Sequence, residues 1–591
     1  MAQTAELPQW DLSHLYSGPD DSQLESDLEE AMKRSKSFAD NYAGKLAGLS
    51  GAQFGTAIAE YEVISEILHK TMSYGQLLFS VNTGDGEVGR FYQTLQERVT
   101  EISSDTLFFT LEINRLEDGV LAEKLKDDAS ARYQPWLGEV RMYRDHQLSD
   151  DIEKLLLEKS VTGRSAWVRL FEETFADMRF DVEGVGEGLT QSEVLNLLSD
   201  KDENKRKAAS AGFGKVLDSN VRLLALITNT LAKDKDIEDR WRKYERPVSE
   251  RNLSNQVEDE VVDALVSSVR SQYANLAHRY YKLKAKWFGK EVLDYWDRNA
   301  PLPDDSAAKF KWDQAKSMVL DAYHAFEPSM KDVAGRFFDE DWIDAKPREG
   351  KDSGAFSHPV VPSVHPYILL NFHGKARDVM TLAHELGHGV HQVLAADQGA
   401  LMADTPLTTA ETASVFGEML TFRKMVDGEQ DPARRRILLA GKVEDMLNTV
   451  VRQVAFHEFE RHVHDERKKG ELSVERLGEI WMEVQGESLG PAIRFDDSYQ
   501  NYWAYIPHFV HTPFYVYAYA FGDCLVNSLY DVFAQGHEGF QQKYLEMLAA
   551  GGTKRHKELL APFGLDASDP EFWTRGLKVV SGFIDELEML N

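Results

Sequence analysis

Apolar residues recur three and four positions apart through most of this chain, with polar or charged residues between them. The stretches 23–45, 56–78, 208–231, 258–287 and 433–468 all read this way. Such a helix must bury one face, so the chain is expected to fold as packed helices. Alternation is scarce. The clearest strand-like run is Pro366-Tyr367-Ile368-Leu369-Leu370-Asn371-Phe372, preceded by the Pro-punctuated segment 357–364, and a weaker one covers 166–171. The fold class is therefore mainly α, with a small sheet beside a large helical mass.

With 591 residues the chain is too long for one small core. Gly184, Gly186 and Gly188 interrupt the helical pattern, and 199–207 is a dense cluster of Asp, Lys, Glu and Asn. These breaks place a boundary near residue 195, dividing an N-terminal helical lobe (1–195) from a larger domain (196–591). The Pro-bearing stretch 299–305 reads as an internal loop.

Charge narrows the partners. The chain has 98 acidic and 67 basic residues, a net charge of −31. Such a surface disfavours nucleic acid and anionic membranes. No run of about 20 apolar residues is present, so no membrane span is expected. The one cysteine, Cys524, leaves no intramolecular disulfide and fits a reducing compartment. The first residues lack a basic and then apolar leader. A cytoplasmic protein is expected.

The chemistry concentrates in 376–391, which contains His384-Glu385-Leu386-Gly387-His388. Val379, Leu382, Ala383, Leu386, Val390, Val393 and Leu394 follow a helical period around it. On a helix, His384 and His388 project from one face about 6 Å apart along the axis. Both imidazoles can then reach one Zn²⁺ ion per chain at roughly 2.0–2.1 Å. Glu385 lies beside the open coordination position, where it can take a proton from water. By chance alone, such a motif arises in only about a few per cent of chains like this one. Gly387 and Gly389 weaken the helix by up to roughly 1 kcal/mol each, a cost more at home in a crowded site than in a plain core helix.

A third ligand is required. His391 shares the face, but it lies about 10.5 Å along the axis from His384 and converges poorly on a tetrahedral ion. Glu411 is the better candidate. Apart from Glu411 and Glu418, the segment 408–420 is uncharged, and a carboxylate there is costly to bury unless paired or bound to metal. Thr408 or Thr409 can cap a helix at this point.

The segment 498–522 carries no Asp, Glu, Lys or Arg, in a chain where 28% of residues are charged. Many of its rings belong in a core. Yet His508, His511 and its clustered tyrosines offer hydrogen-bond donors that a core does not need. Neutral donors of this kind can stabilise the oxyanion of peptide hydrolysis, so the segment is expected to face the metal.

Taken together, Trp10-Asp11-Leu12-Ser13, Arg377 to His388, Ala410-Glu411-Thr412-Ala413-Ser414 and Pro513 to Gly522 resemble the oligoendopeptidase F family, in the thimet oligopeptidase-like group of zinc metallopeptidases. The resemblance implies a two-lobed helical clamshell with a deep substrate channel and a small β-sheet beside the zinc helix. It implies zinc held by His384, His388 and Glu411, with Glu385 as general base, in a catalytic domain covering 196–591. It also implies that 368–371 is an edge strand pairing with the substrate backbone. His508, His511, Tyr515, Tyr517 and Tyr519 become the candidates for oxyanion and substrate donors, with the register among them open. Four residues past Glu411 stands Val415, where thermolysin-like enzymes carry an Asp, so a carboxylate behind the ligands must come from elsewhere, with Glu418 as the candidate. The implied activity is a zinc-dependent oligoendopeptidase cutting internal bonds of short unstructured peptides; the oligomeric state stays open, with a monomer favoured. The alternatives are a carboxypeptidase or dipeptidase of the same architecture, or an inactive peptide-binding homologue.

Overall fold

The computed structural model describes residues 7–160, 162–303 and 309–590. The helical periodicity is realised almost throughout. Stretch 23–45 becomes the helix Ser22–Tyr42, and 56–78 becomes Gly51–Ser80, opened by a reciprocal capping box between Ser50 and Gln53. Stretch 208–231 lies within a 40-residue helix, α1 (Glu203–Arg242). Its N-cap Asp202 accepts the Asn204 N–H at 2.9 Å, and it ends where Lys243 turns left-handed. One expectation differs. The weak strand at 166–171 is part of the helix Arg164–Asp177, whose inward face buries Phe171 and Phe175. The loop expected at 299–305 is irregular over its described part, while 304 and 305 lie outside the described residues.

The chain forms two compact units, each gathered from three stretches. Unit 1 comprises Met1–Arg144, Ala307–Gly428 and Gly536–Gly564; unit 2 comprises Asp145–Ser306, Glu429–Gln535 and Leu565–Asn591. A single boundary near residue 195 does not match this division. The glycines that suggested it belong to a hairpin inside unit 2, in which Phe180–Val182 pairs with Gly186–Leu189. Gly184 and Gly188 take positive φ there, so they serve a turn and not a linker.

Unit 1 contains a three-stranded sheet of β1 (Ile343–Asp344), β2 (Phe356–His358) and β3 (Tyr367–Leu369), in the order β1-β3-β2. β3 runs parallel to β1, pairing Ile343 with Ile368, and antiparallel to β2, pairing Ser357 with Ile368. The edge strand expected at 368–371 is therefore the central strand, and Leu370 and Asn371 lie beyond it. Tyr367, Ile368 and Leu369 are all buried, and a strand apolar at every position belongs in the middle of a sheet.

Three helices of unit 1 carry the candidate chemistry: α2 (Trp312–Phe326), α3 (Ala376–Ala395) and α4 (Thr412–Gly428). The chain leaves β3 through Gly374, whose φ of +83° and closeness to the Phe310 carbonyl exclude a side chain. Asp378 then starts α3 by accepting the His373 and Lys375 N–H groups at 2.8 and 2.9 Å. In unit 2, α5 (Val451–Arg467) packs on α6 (Tyr517–Ala534), and α6 packs along α7 (Pro570–Met589). Cys524 of α6 is buried there as a free thiol. Among the described residues no helix is long and apolar enough to cross a membrane.

Candidate active site

The glycines of α3 have a packing reason. A Cβ on Gly387 would run into the Ala413 carbonyl and the Ser414 Cα, and one on Gly389 would meet the Phe337 ring. The missing side chain of Gly387 lets α4 approach α3 backbone to backbone. Tyr323 of α2 locks the pair: its hydroxyl donates to the Ala383 carbonyl at 2.6 Å and lies where a Cβ on Gly417 would stand. Tyr544 adds a second tie, donating to the Thr412 carbonyl at 2.8 Å.

This approach brings Glu411 to the two histidines. Glu411 sits at the break between the short helix Leu407–Ala410 and α4. Thr408 and Thr409 lie inside that short helix and do not cap it; the Thr409 hydroxyl instead donates to the Pro406 carbonyl. Glu411 Oε2 is 3.3 Å from His384 Nε2 and 3.4 Å from His388 Nε2. All three donor atoms fall within 4.8 Å of one another. Donors held at roughly 2.0–2.1 Å around a tetrahedral ion stand about 3.3–3.4 Å apart, so two imidazoles and one carboxylate fit a zinc ion at the observed spacing. Ser414 Oγ donates to Glu411 Oε2 at 2.6 Å and fixes its rotamer.

Behind the donors, Glu418 Oε2 lies 3.4 Å from His384 Nδ1. A carboxylate there orients the imidazole and leaves Nε2 free for a metal. Burial works against a charge on His384, but the Glu418 hydrogen bond and the Glu411, Glu385 and Glu418 charges lift its pKa to about 9. For Glu411, burial would raise the carboxyl, but its hydrogen bond to His388, the two imidazoles and Ser414 hold it at about 2. The cluster thus draws in positive charge. Glu385 is buried beside it. Burial, the largest influence, raises its carboxyl; His384 and His388 oppose this, and Glu411 and Glu418 add to it. His391 is not among the clustered donors. It is buried, its ring meets the Ala410 carbonyl, and burial followed by the His388 charge pushes it down to about 4.

Another acidic group, Glu203, Asp294 and Asp297 in unit 2, also lies close enough to hold an ion. Its charges are already met. Asp297 binds Arg206 and Lys290 at 2.6 Å, Glu203 binds Lys290 at 2.6 Å, and Asp294 binds Arg494 at 2.8 Å. It reads as an ion-pair network.

The aromatic segment lies in unit 2, and the structure sorts its candidates. His508 Nε2 is 3.3 Å from the Tyr519 hydroxyl, and the Tyr515 ring stacks on His508 and meets the Tyr519 ring edge-on. These three are half-buried. Burial, then the charges of His511 and Arg452, lowers the His508 pKa, which favours the neutral imidazole. His511 turns away to Glu172, at 3.4 Å. Tyr517 is fully buried, with its hydroxyl accepting from Asn255 at 2.8 Å. It belongs to the core and leaves the set of candidate donors. Sequence reasoning missed Tyr323; a tyrosine within an apolar helix face gives no local sign of the carbonyl it will reach.

Known proteins are similar to this chain over most of its length. A model described as peptidase family M3 matches residues 196–579, and one described as oligopeptidase F matches 112–180. Oligopeptidase PepF of Bacillus subtilis is 26% identical over 98% of this chain and 87% of its own length. An oligoendopeptidase F homolog of Borreliella burgdorferi is 26% identical, covering 95% of this chain and 94% of its own. Among solved structures, oligoendopeptidase-F from Enterococcus faecium matches with a TM-score of 0.71 at 22% identity, over 96% of this chain and 97% of that one. A Chlamydophila abortus chain reaches 0.88 at 22% identity, over 99% and 98%. At these identities the solved structures establish the fold, and the family model covers well over half the sequence. The chain belongs to peptidase family M3, a family of metallopeptidases.

Proposed function

We propose that this metallopeptidase is a zinc-dependent oligoendopeptidase that hydrolyses internal bonds of short, unstructured peptides in the cytoplasm. The observation that carries the reading is the spacing of Glu411 Oε2 from both imidazole Nε2 atoms. His384, His388 and Glu411 would hold the metal. A zinc ion bound there supplies Lewis acidity, polarising a carbonyl and acidifying water.

The chain's own residues do the rest. Glu385 accepts the proton of the attacking water and passes it to the leaving amine. Burial that raises its carboxyl suits both steps, because the group must release the proton it has just taken. Glu418 holds His384 in the tautomer that offers Nε2. His508, Tyr515 and Tyr519 donate to the substrate and to the developing oxyanion; neutral donors do this without adding charge to the ground state. The backbone must be extended to react. Opening a stable fold costs much of its roughly 5–15 kcal/mol, so folded proteins are poor substrates.

The test combines metal analysis with products from a mixed peptide library. One zinc per chain, with internal cuts in short peptides, is expected. Release of single C-terminal residues or of dipeptides would replace this reading with an exopeptidase. Zinc without any cleavage would replace it with a peptide-binding role.

A further inference from the structure

The segment carrying His508, Tyr515 and Tyr519 is bent by a turn that ought to be unfavourable. The Tyr515 N–H donates to the Thr512 carbonyl at 3.1 Å, closing a four-residue turn over Pro513 and Phe514. Phe514 has a φ of +59°. Proline followed by a residue of positive φ marks a type II turn, and the second position normally belongs to glycine. A bulky residue there is strained and persists only where its surroundings hold it.

What holds it is the buried face of α5. His457, Glu460 and His464 stand at positions i, i+3 and i+7 on that face. The Phe514 ring lies 5.7 Å from the His457 ring and 5.0 Å from that of His464. Glu460, only 2% exposed, accepts the Phe514 N–H through Oε1 at 2.8 Å. Its other oxygen finds no hydrogen-bond partner among the described residues. A buried carboxyl devoted to one backbone amide is costly for packing alone. Arg164 steadies the approach to the turn by donating to the Val510 and His511 carbonyls at 3.1 and 2.7 Å.

The turn has a consequence for geometry. His508 lies before it, and Tyr515 and Tyr519 lie after it. The 3.3 Å contact between His508 Nε2 and the Tyr519 hydroxyl therefore spans the bend. We propose that Glu460 is a positioning residue, whose buried carboxyl holds the Phe514 turn left-handed and so sets His508 against Tyr515 and Tyr519. Its bearing on turnover rests on the reading of those three as substrate donors. Burial raises Glu460 to about 8, opposed by the Phe514 N–H and by the Arg251 and Lys235 charges. Near neutral pH its acceptor is thus largely the carbonyl of a neutral acid, which an amide can replace.

The test uses Glu460→Gln and Glu460→Met in the full chain. Metal content, kinetics on an internally quenched peptide and hydrogen exchange over 508–519 are measured on each. Glu460→Gln keeps the acceptor and is expected within about twofold of the parent. In Glu460→Met, exchange over 508–519 should rise while that of α3 and the metal content stay unchanged. Its kcat should fall about 10- to 100-fold, the scale of a misplaced catalytic group, with KM altered much less. Unchanged exchange over 508–519 in Glu460→Met overturns the proposal, whatever the kinetics. Raised exchange with unchanged kcat upholds the positioning role and removes the three donors from the proposed mechanism. Should Glu460→Met fail to accumulate, the parent chain decides: a Phe514 amide that exchanges like an exposed turn amide overturns the proposal.

Discussion

A Cβ placed on Gly387 would stand 2.6 Å from the Ser414 Cα. That separation sets how near α4, and Glu411 just before it, can come to the histidines of α3. Gly387→Ala should therefore cost more than overpacking, which alone is worth about 1–3 kcal/mol. Metal affinity, read by chelator competition, is expected to fall at least about tenfold, the scale of losing support around a ligand, with helix content unchanged. Parent-like affinity would show that the two helices can part without moving Glu411.

The candidate ligands should separate by metal content. Glu411→Ala is expected to lose zinc, and His391→Ala to keep most of it. Glu418→Ala removes the carboxylate at the far nitrogen of His384 and should weaken binding by about 10–100-fold. A His391 variant poorer in metal than the Glu411 variant would exchange their roles.

Glu385→Gln preserves size but cannot accept the proton. Zinc content should match the parent, while kcat falls by roughly 10²–10⁴. Undiminished cleavage by the zinc-loaded variant would take Glu385 out of the reaction.

Acid should loosen unit 2 through α5. Burial, followed by the opposed charges of Glu458 and Arg461, lowers His457 to about 4. Burial with Lys235, Lys468 and Arg164 lowers His464 to about 3. An unfolded histidine takes its proton near 6.5. Below that pH the unfolded chain binds more protons at both rings than the folded one, which outweighs the opposite contribution of Glu460, whose carboxyl, raised to about 8, keeps its proton better in the folded chain; stability therefore falls as pH drops toward 4 and 3. The slope is at most about 1.4 kcal/mol per pH unit for each group. Thermal midpoints measured from pH 7 to pH 4 should decline, and His464→Gln should shallow that decline. A parent midpoint that does not change across this range would show that both rings can be protonated in place.

His384, Glu385 and His388 could be read from sequence because their geometry is local: one helical turn fixes it. Glu411 could be inferred because a carboxylate in an otherwise nearly neutral segment needs a partner. Glu418 emerged only as a candidate, since its contact depends on how closely two helices approach. The glycines that permit this approach were visible, but what they would touch was not. Tyr517 and Tyr519 both lie in α6, where positions two apart are turned about 200° from one another, so one is buried and the other only half-buried, while Tyr515 precedes the helix. The central place of β3 was likewise written in its unbroken apolar run. Tyr323 and Glu460 had no such mark, because each acts on a backbone atom far away in sequence.

The three-stretch construction of unit 1 bears on how the protein is made. Its last stretch, Gly536–Gly564, supplies Tyr544, which holds the Thr412 carbonyl next to Glu411. A ribosome working at about 5–20 residues per second needs roughly 7–26 s to travel from Thr412 to Tyr544. Throughout that interval the histidines exist but their carboxylate partner lacks its buttress. A nascent copy thus stays unfinished as a hydrolase until Tyr544 has been made, well after its histidines and Glu411 have emerged.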